Sequence, residues 1–408
     1  MNFSEAQDRP FETIMSGPVA GAEGAAELTK VFKLGDLVTA DVGGTSFDTA
    51  FIKDGKTQLL YEGSVINMPL QTPWVDVRSI GAGGGSIAYI DAGDLLQVGP
   101  KSAGADPGPA CYGQGGTEAT VTDAAFFLGM LGVGELASGV NLDRSKSEAA
   151  LGALADALGY DTEQTARGII TIVGASMANA IRDITIEQGI DPRELTLLGF
   201  GGAGPMMATQ LARELEIKNI VIPPFAGNFS TWGLLTSDLL QSTARTKPMK
   251  LNDDNIASAN KILSELFLEL SSRSAKTIDG ESIKEVAFDI RYLGQEHTMT
   301  IEPKSKDGVI TSDTKDIDKI FADAYVKSYG SSLDTEREIV SIRASIRQPL
   351  AAGDALSMAI SQISTNEEDS LTGTLTAYSF ASEKTIEFKT YNRGALKSNT
   401  TYSGPAII

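Results

Sequence analysis

The stretch D41-V-G-G-T-S-F-D48 sits between DLVTA and TAFIKDGKTQLLY, two runs that read as β-strands. A plain hairpin needs only a turn dipeptide. Here two carboxylates flank two glycines and two hydroxyls. Gly43 and Gly44 open the backbone, Thr45 and Ser46 offer hydroxyl donors to phosphate oxygens, and Asp41 and Asp48 are placed to hold Mg2+ directly or through water. The competing reading is a turn with two solvated aspartates, which accounts for Gly-Gly and not for the flanking carboxylates.

Two further glycine loops lie on either side of a long helix. GAGGGS (81–86), between VDVR and IAYI, reads either as an anion-binding nest or as a device for close packing. GFGGAG (199–204) follows the strand ELTLLGF and precedes a helix from about Met206 to Leu215 and the strand IKNIVIPP. It satisfies G-x-G-x-x-G, the dinucleotide fingerprint, but the acidic residue that should end the next strand is replaced by Val221, Ile222, Pro223 and Pro224. A dehydrogenase built on this loop would bind NAD. What all such loops share is close ligand approach to backbone and unpaired N–H groups at a helix N-terminus. No G-x-x-x-x-G-K-[ST] occurs, which excludes a P-loop.

Around these motifs the pattern is α/β. An Ala-rich helix over 18–32 precedes an expected antiparallel meander of LVTADV, DTAFIK and TQLLY, and a helix with one apolar face runs from Thr165 to Gly189. After about residue 250 helices and strands alternate without glycine loops, which reads as a separate α+β domain. The expected domains are 1–248, 249–349 and a strand-rich 350–408 whose end, SGPAII, reads as truncated.

Composition bounds the chemistry. The 408 residues include 53 acidic and 34 basic side chains, a formal charge of −19, so nucleic acid and anionic membranes are not expected partners. No apolar run approaches the roughly 20 residues of a membrane span, and the start MNFSEAQDRP lacks signal-peptide character, so cytoplasmic residence is expected. With one histidine, His297, and one cysteine, Cys111, His-based triads, zinc clusters and disulfides are improbable. His297 is expected on a surface strand and Cys111 as a small buried thiol. Carboxylates, hydroxyls and backbone amides remain.

SGPVAGAEGA (16–25), DVGGTSFDTAFI (41–52), VDVRSIGAGGGSIAYID (75–91), VGPKSAGADPGPACYGQGGTEATVTDA (98–124), LLGFGGAGPMMA (197–208) and GLLTSD (233–238) together resemble the hydantoinase A and 5-oxoprolinase family, which includes nucleotide-binding subunits of acetone carboxylases. The resemblance implies an actin-like ATPase (ribonuclease H-like) fold in the first domain. It also implies ATP-dependent phosphorylation of an amide or carbonyl oxygen before hydrolysis or carboxylation, a cyclic-amide substrate and a B-type partner subunit in a hetero-oligomer. Asp41, Gly43, Gly44, Thr45, Ser46 and Asp48 then match the second phosphate motif, with Asp41 and Asp48 the catalytic and Mg2+-binding carboxylates. Gly201, Gly202 and Gly204 match the adenosine loop. Family members carry an earlier lobe with a first Asp-x-Gly-Gly-Thr motif, so this chain is expected to be the C-terminal portion of an A subunit. Where many members have histidine it carries Arg78, Met207 and Tyr325. The alternative is an inactive nucleotide-binding or interaction module of the same fold.

Overall fold

The computed structural model describes residues 6, 7, 9–60, 63–65, 68–70, 74–132, 136, 139–274, 282–349 and 370–408. Strands β1 (Leu37–Val42) and β2 (Phe47–Lys53) pair antiparallel with Asp41 opposite Asp48 and Val42 opposite Phe47. Alternation sorts their side chains to two faces. Val38, Ala40, Val42, Phe47 and Phe51 enter one apolar core, and Leu37, Ala50 and Ile52 another. The carboxylates of Asp41 and Asp48 belong to the second face.

The meander is only partly realised. Strand β3 (Lys56–Thr57) continues it for two residues, whereas Leu59–Leu60 pairs with Trp74–Val75. The opening half of β2 instead pairs with β4 (Val77–Ile80), and GAGGGS, which follows that strand, is hydrogen-bonded to the hairpin tip. The loop leads into the β5 (Ser86–Ile90) and β6 (Leu96–Ser102) pair.

On the other side of β1 lies parallel β7 (Thr196–Phe200), and parallel to that β8 (Asn219–Val221), giving the order β8-β7-β1-β2-β3. Helices α2 (Val121–Phe127), α3 (Arg144–Leu158), α4 (Thr162–Glu187) and α5 (Gly204–Glu214) fill the first core. Helix α1 (Ser16–Phe32) and α6 (Phe229–Thr236) cover the opposite face. Strand, glycine loop, helix and strand follow in the expected order through β7, α5 and β8. Helix α4 starts at Thr162 because Asp161 and Gln164 close a capping box ahead of the apolar run. By length and hydropathy α4 would qualify as a membrane span, against the sequence expectation, but Ile169, Ile170, Val173, Met177 and Ile181 are wholly buried in the protein core.

The second core joins α7 (Asp253–Ser274) and α8 (Thr314–Tyr329) to an antiparallel sheet. Its strands are β9 (Leu239–Lys250), β10 (Ile283–Tyr292), β11 (Met299–Ile301) and β12 (Arg337–Gln348), in the order β9-β12-β10-β11. Position 248 falls inside β9, whose ladder to β12 begins at Leu239, so hydrogen bonding places 239–248 in this sheet. A buried Asp289–Arg343 ion pair at 2.8 Å links β10 to β12, with the Thr300 hydroxyl donating to Asp289. His297 is exposed as expected but precedes β11 in a loop.

Past position 370 the hairpin β13 (Leu371–Ser379) and β14 (Lys384–Tyr391) pairs with β15 (Ala406–Ile407). It packs on the first domain. The Tyr378 N–H donates to the Leu128 carbonyl, the Tyr378 ring joins the first core, and the Arg393 guanidinium donates to the Ile222 and Pro223 carbonyls.

Candidate functional site

The DVGGTSFD hairpin closes tightly, with the Gly43 N–H donating to the Ser46 carbonyl at 3.0 Å. Gly44 and Thr45 are exposed at its tip, and a Cβ on Gly44 would meet nothing within 4 Å. GAGGGS braces the tip from below. Gly84 and Gly85 N–H groups donate to the carbonyls of Gly43 and Gly44, and the Gly83 N–H donates to the Ser86 hydroxyl. With these donors spent, and a Cβ on Gly83 falling 2.8 Å from the Gly43 carbonyl oxygen, the loop is a close-packing device and not an anion nest.

The third loop meets the hairpin from the side, because β7 ends beside the end of β1. Gly201 has φ +84°, donates its N–H to the Ala226 carbonyl, and lies so close that a Cβ would fall 2.4 Å from Asp41 Oδ1. Gly204 opens α5 against β1, where a Cβ would fall 2.9 Å from the Ala40 carbonyl oxygen. Gly202, between them, faces open space. Helix α5 has no side-chain cap at its start, so its first-turn N–H groups are not taken by one. The structure therefore gathers the hairpin and the 201–204 loop at the ends of β1 and β7, with Gly201 and Gly204 fixed by packing and Gly202 left accessible.

Residues directly opposite in an antiparallel pair share a face, so Asp41 and Asp48 lie side by side. Asp48 is only 8% exposed; its Oδ2 accepts from the Ser46 hydroxyl at 2.9 Å, and its Oδ1 is buried without a hydrogen-bond partner. Asp41 accepts from the Ser230 hydroxyl on α6 at 3.0 Å. Burial pushes the Asp41 carboxyl up to about 6, the Ser230 hydrogen bond pulls it down and the Asp48 charge adds to the rise. A buried, unpartnered carboxylate oxygen beside a second carboxylate is costly as it stands and suits a small divalent cation. Two carboxylates are enough for Mg2+, which keeps waters and takes phosphate oxygens as its other ligands. Among the described residues no group of three or more His, Cys, Asp or Glu forms a metal cluster.

Arg78, Met207 and Tyr325, the residues that stand in place of family histidines, fall in separate surroundings. The Arg78 guanidinium pairs with buried Asp76 at 2.7 Å and with Glu187 on α4, tying β4 to that helix. Met207 is wholly buried on α5. Tyr325 packs edge-on against Tyr292 in the second core, and its hydroxyl accepts from Gln295. It borders a cavity of about 260 Å3 that is lined by residues of the 290–329 segment, His297 among them, and holds none of the hairpin residues.

Cys111 is wholly buried, and burial with the Asp123 charge raises its thiol well above the ordinary range, as a structural thiol requires. Asp123 organises the AGADPGPACYG segment. Its carboxylate, 0% exposed, accepts from the N–H groups of Ala110, Cys111 and Thr120 and from the Thr120 and Ser147 hydroxyls. Sequence reasoning missed both Asp123 and Ser230. The T-x-x-D spacing of Thr120 and Asp123 was a legible capping signal, but nothing local joins Ser230 to Asp41.

A sequence model of the Hydantoinase/oxoprolinase family matches residues 1–243. The chain belongs to that family. Over 305 residues it is 37% identical to the caprolactamase subunit alpha of Pseudomonas jessenii, covering 72% of this chain and 44% of that subunit. Over 425 residues it is 34% identical to a protein of Methanocaldococcus jannaschii, covering 100% of this chain and 60% of the relative. The crystal structure of ATP-dependent caprolactamase from Pseudomonas jessenii superposes with a TM-score of 0.77 at 31% identity, over 91% of this chain and 55% of the other. Nucleotide-free acetone carboxylase gives 0.73 at 23% identity, over 97% and 57%, a likeness of fold. This hydantoinase/oxoprolinase family chain thus spans about half the length of the relatives it matches.

Proposed function

We propose that the chain is the C-terminal portion of an ATP-dependent cyclic-amide hydrolase A subunit of the hydantoinase and 5-oxoprolinase type, with an actin-like first domain. The observation that carries this reading is the Asp41–Asp48 pair, side by side across a hairpin, with one buried carboxylate oxygen left without a partner. Asp41 and Asp48 would hold Mg2+, whose charge offsets that of the ATP phosphates during transfer. The exposed Gly44–Thr45 tip offers backbone and hydroxyl donors to phosphate, and Gly202 with the α5 N-terminus gives the rest of the nucleotide an approach to bare backbone. In this reaction the amide oxygen forms a bond to the γ-phosphorus as ADP leaves. Water then adds to the activated carbon and the ring C–N bond opens, the nitrogen leaving as an amine and the carbon as an acyl phosphate, which a second water hydrolyses to the carboxylate and phosphate.

Relatives named as subunits, such as the caprolactamase subunit alpha and the acetone carboxylase beta subunit, support a B-type partner and a hetero-oligomer. The test is phosphate release from MgATP in the presence of a B-type subunit and the N-terminal lobe of a full-length relative. Addition of 5-oxoproline, hydantoin or caprolactam is expected to raise the release, and Asp48→Ala to abolish it. Equal release by Asp48→Ala would remove the site assignment. Binding of MgADP with no release under any cyclic amide would leave a binding module in place of an enzyme.

A further inference from the structure

The carboxylates are held in matching fashion from two places far apart in sequence. Ser46, inside the hairpin, donates to Asp48 Oδ2 at 2.9 Å, and Ser230, on α6, donates to Asp41 Oδ2 at 3.0 Å. In each case Oδ1 is left over. Asp48 Oδ1 is buried and unpartnered, and no hydrogen bond to Asp41 Oδ1 occurs among the described residues. A Cβ on Gly201 would fall 2.4 Å from Asp41 Oδ1, so only a residue without a side chain fits beside this oxygen. Ser230 is itself confined, since a Cβ on Gly21 of α1 would fall 3.0 Å from its hydroxyl oxygen.

We infer that Ser46 and Ser230 are a pair of positioning residues that each occupy one oxygen of a carboxylate and thereby present the two Oδ1 atoms to a divalent cation. This rests on the reading of Asp41 and Asp48 as metal-holding residues, and it gives Ser46 a different task from the phosphate grip suggested by its place in the motif. A hydroxyl already donating to Asp48 has spent its only proton and cannot also donate it to a phosphate oxygen. Outer hydrogen bonds of this kind fix the orientation of metal-holding carboxylates, and their loss weakens metal affinity by roughly tenfold to a hundredfold.

The experiment is a titration of the chain with Mn2+ alone, followed by electron paramagnetic resonance of free Mn2+, for wild type, Ser46→Ala, Ser230→Ala, Ser46→Thr and Asp48→Ala. Thermal melts without metal confirm that each variant is folded. The expected result is a Kd for Mn2+ raised about tenfold or more in Ser46→Ala and Ser230→Ala, rescued toward wild type in Ser46→Thr, and no binding in Asp48→Ala. If Asp48→Ala loses Mn2+ while both serine-to-alanine variants bind it within twofold of wild type, the positioning role is overturned and the metal site stands. If Asp48→Ala binds Mn2+ as wild type does, the site itself is refuted. Ser46→Ala that weakens metal-free ATP binding and leaves Mn2+ affinity unchanged returns Ser46 to the phosphate and overturns the inference.

Discussion

Substituting Gly201 by alanine strikes the contact that joins the third loop to the carboxylate pair. At φ +84° an L-residue costs about 1–2 kcal/mol more than glycine. The new Cβ would also fall 2.4 Å from Asp41 Oδ1 and 2.6 Å from the Val42 carbonyl oxygen, and that carbonyl cannot retreat freely because it accepts the Ala203 N–H at 2.9 Å. Overpacking of this sort adds about 1–3 kcal/mol, so Gly201→Ala is expected to destabilise the first domain by about 2–5 kcal/mol. Gly202→Ala is its control. Nothing lies within 4 Å of that Cβ and the backbone is not left-handed, so stability should hold or rise by up to about 1 kcal/mol. Nucleotide affinity should nonetheless drop, since the added methyl occupies the open approach. Both tryptophans, Trp74 and Trp232, lie in the first domain, so urea unfolding followed by tryptophan fluorescence reports on it. A Gly201→Ala midpoint corresponding to less than about 0.5 kcal/mol of change would refute the packing argument.

Three further outcomes follow from the same geometry. With Asp41 raised from 3.8 to about 6, the metal-free folded chain binds more protons than the unfolded chain in that window, so stability falls as pH rises from about 4 to 6. The contribution is at most about 1.4 kcal/mol per pH unit, and urea midpoints of Asp41→Asn across this range should show a shallower slope; an unchanged slope would contradict it. Asp123→Ala strands several buried donors at about 1–3 kcal/mol each, so it should lower the melting temperature strongly and expose Cys111 to a thiol reagent that reacts slowly with wild type. An equally slow reaction in that variant would show that Asp123 does not hold the segment. Asp289→Ala leaves the Arg343 charge buried in the second sheet and should cost about 3–5 kcal/mol in chemical unfolding followed by circular dichroism; a loss under about 1 kcal/mol would argue against a buried pair.

The hairpin was legible because its chemistry is local. Asp41 and Asp48 lie seven positions apart with glycines between, and antiparallel pairing alone puts them on one face. The helices at 16–32, 162–187 and 204–214 were likewise written in composition and apolar spacing, and the second of them also in the Asp161–Gln164 capping box. What sequence left open was decided by contact between distant segments. GAGGGS offered a nest or a packing device, and only its placement under Gly43 and Gly44 shows which. TQLLY has strand composition, yet β4 takes the pairing edge that a third meander strand would need. Ser230 is 189 positions from Asp41, and no local pattern ties a serine in GNFSTWG to a carboxylate in the hairpin.

Asp41 and Asp48 are proposed to hold the metal of a nucleotide–metal complex. Isothermal calorimetry with MgATP and MgADP on the wild-type chain and on Asp48→Ala tests it most directly. Binding heat that depends on Mg2+ is expected for wild type, and its loss in Asp48→Ala. Equal heat from both proteins, or heat that persists unchanged when Mg2+ is chelated, would contradict it.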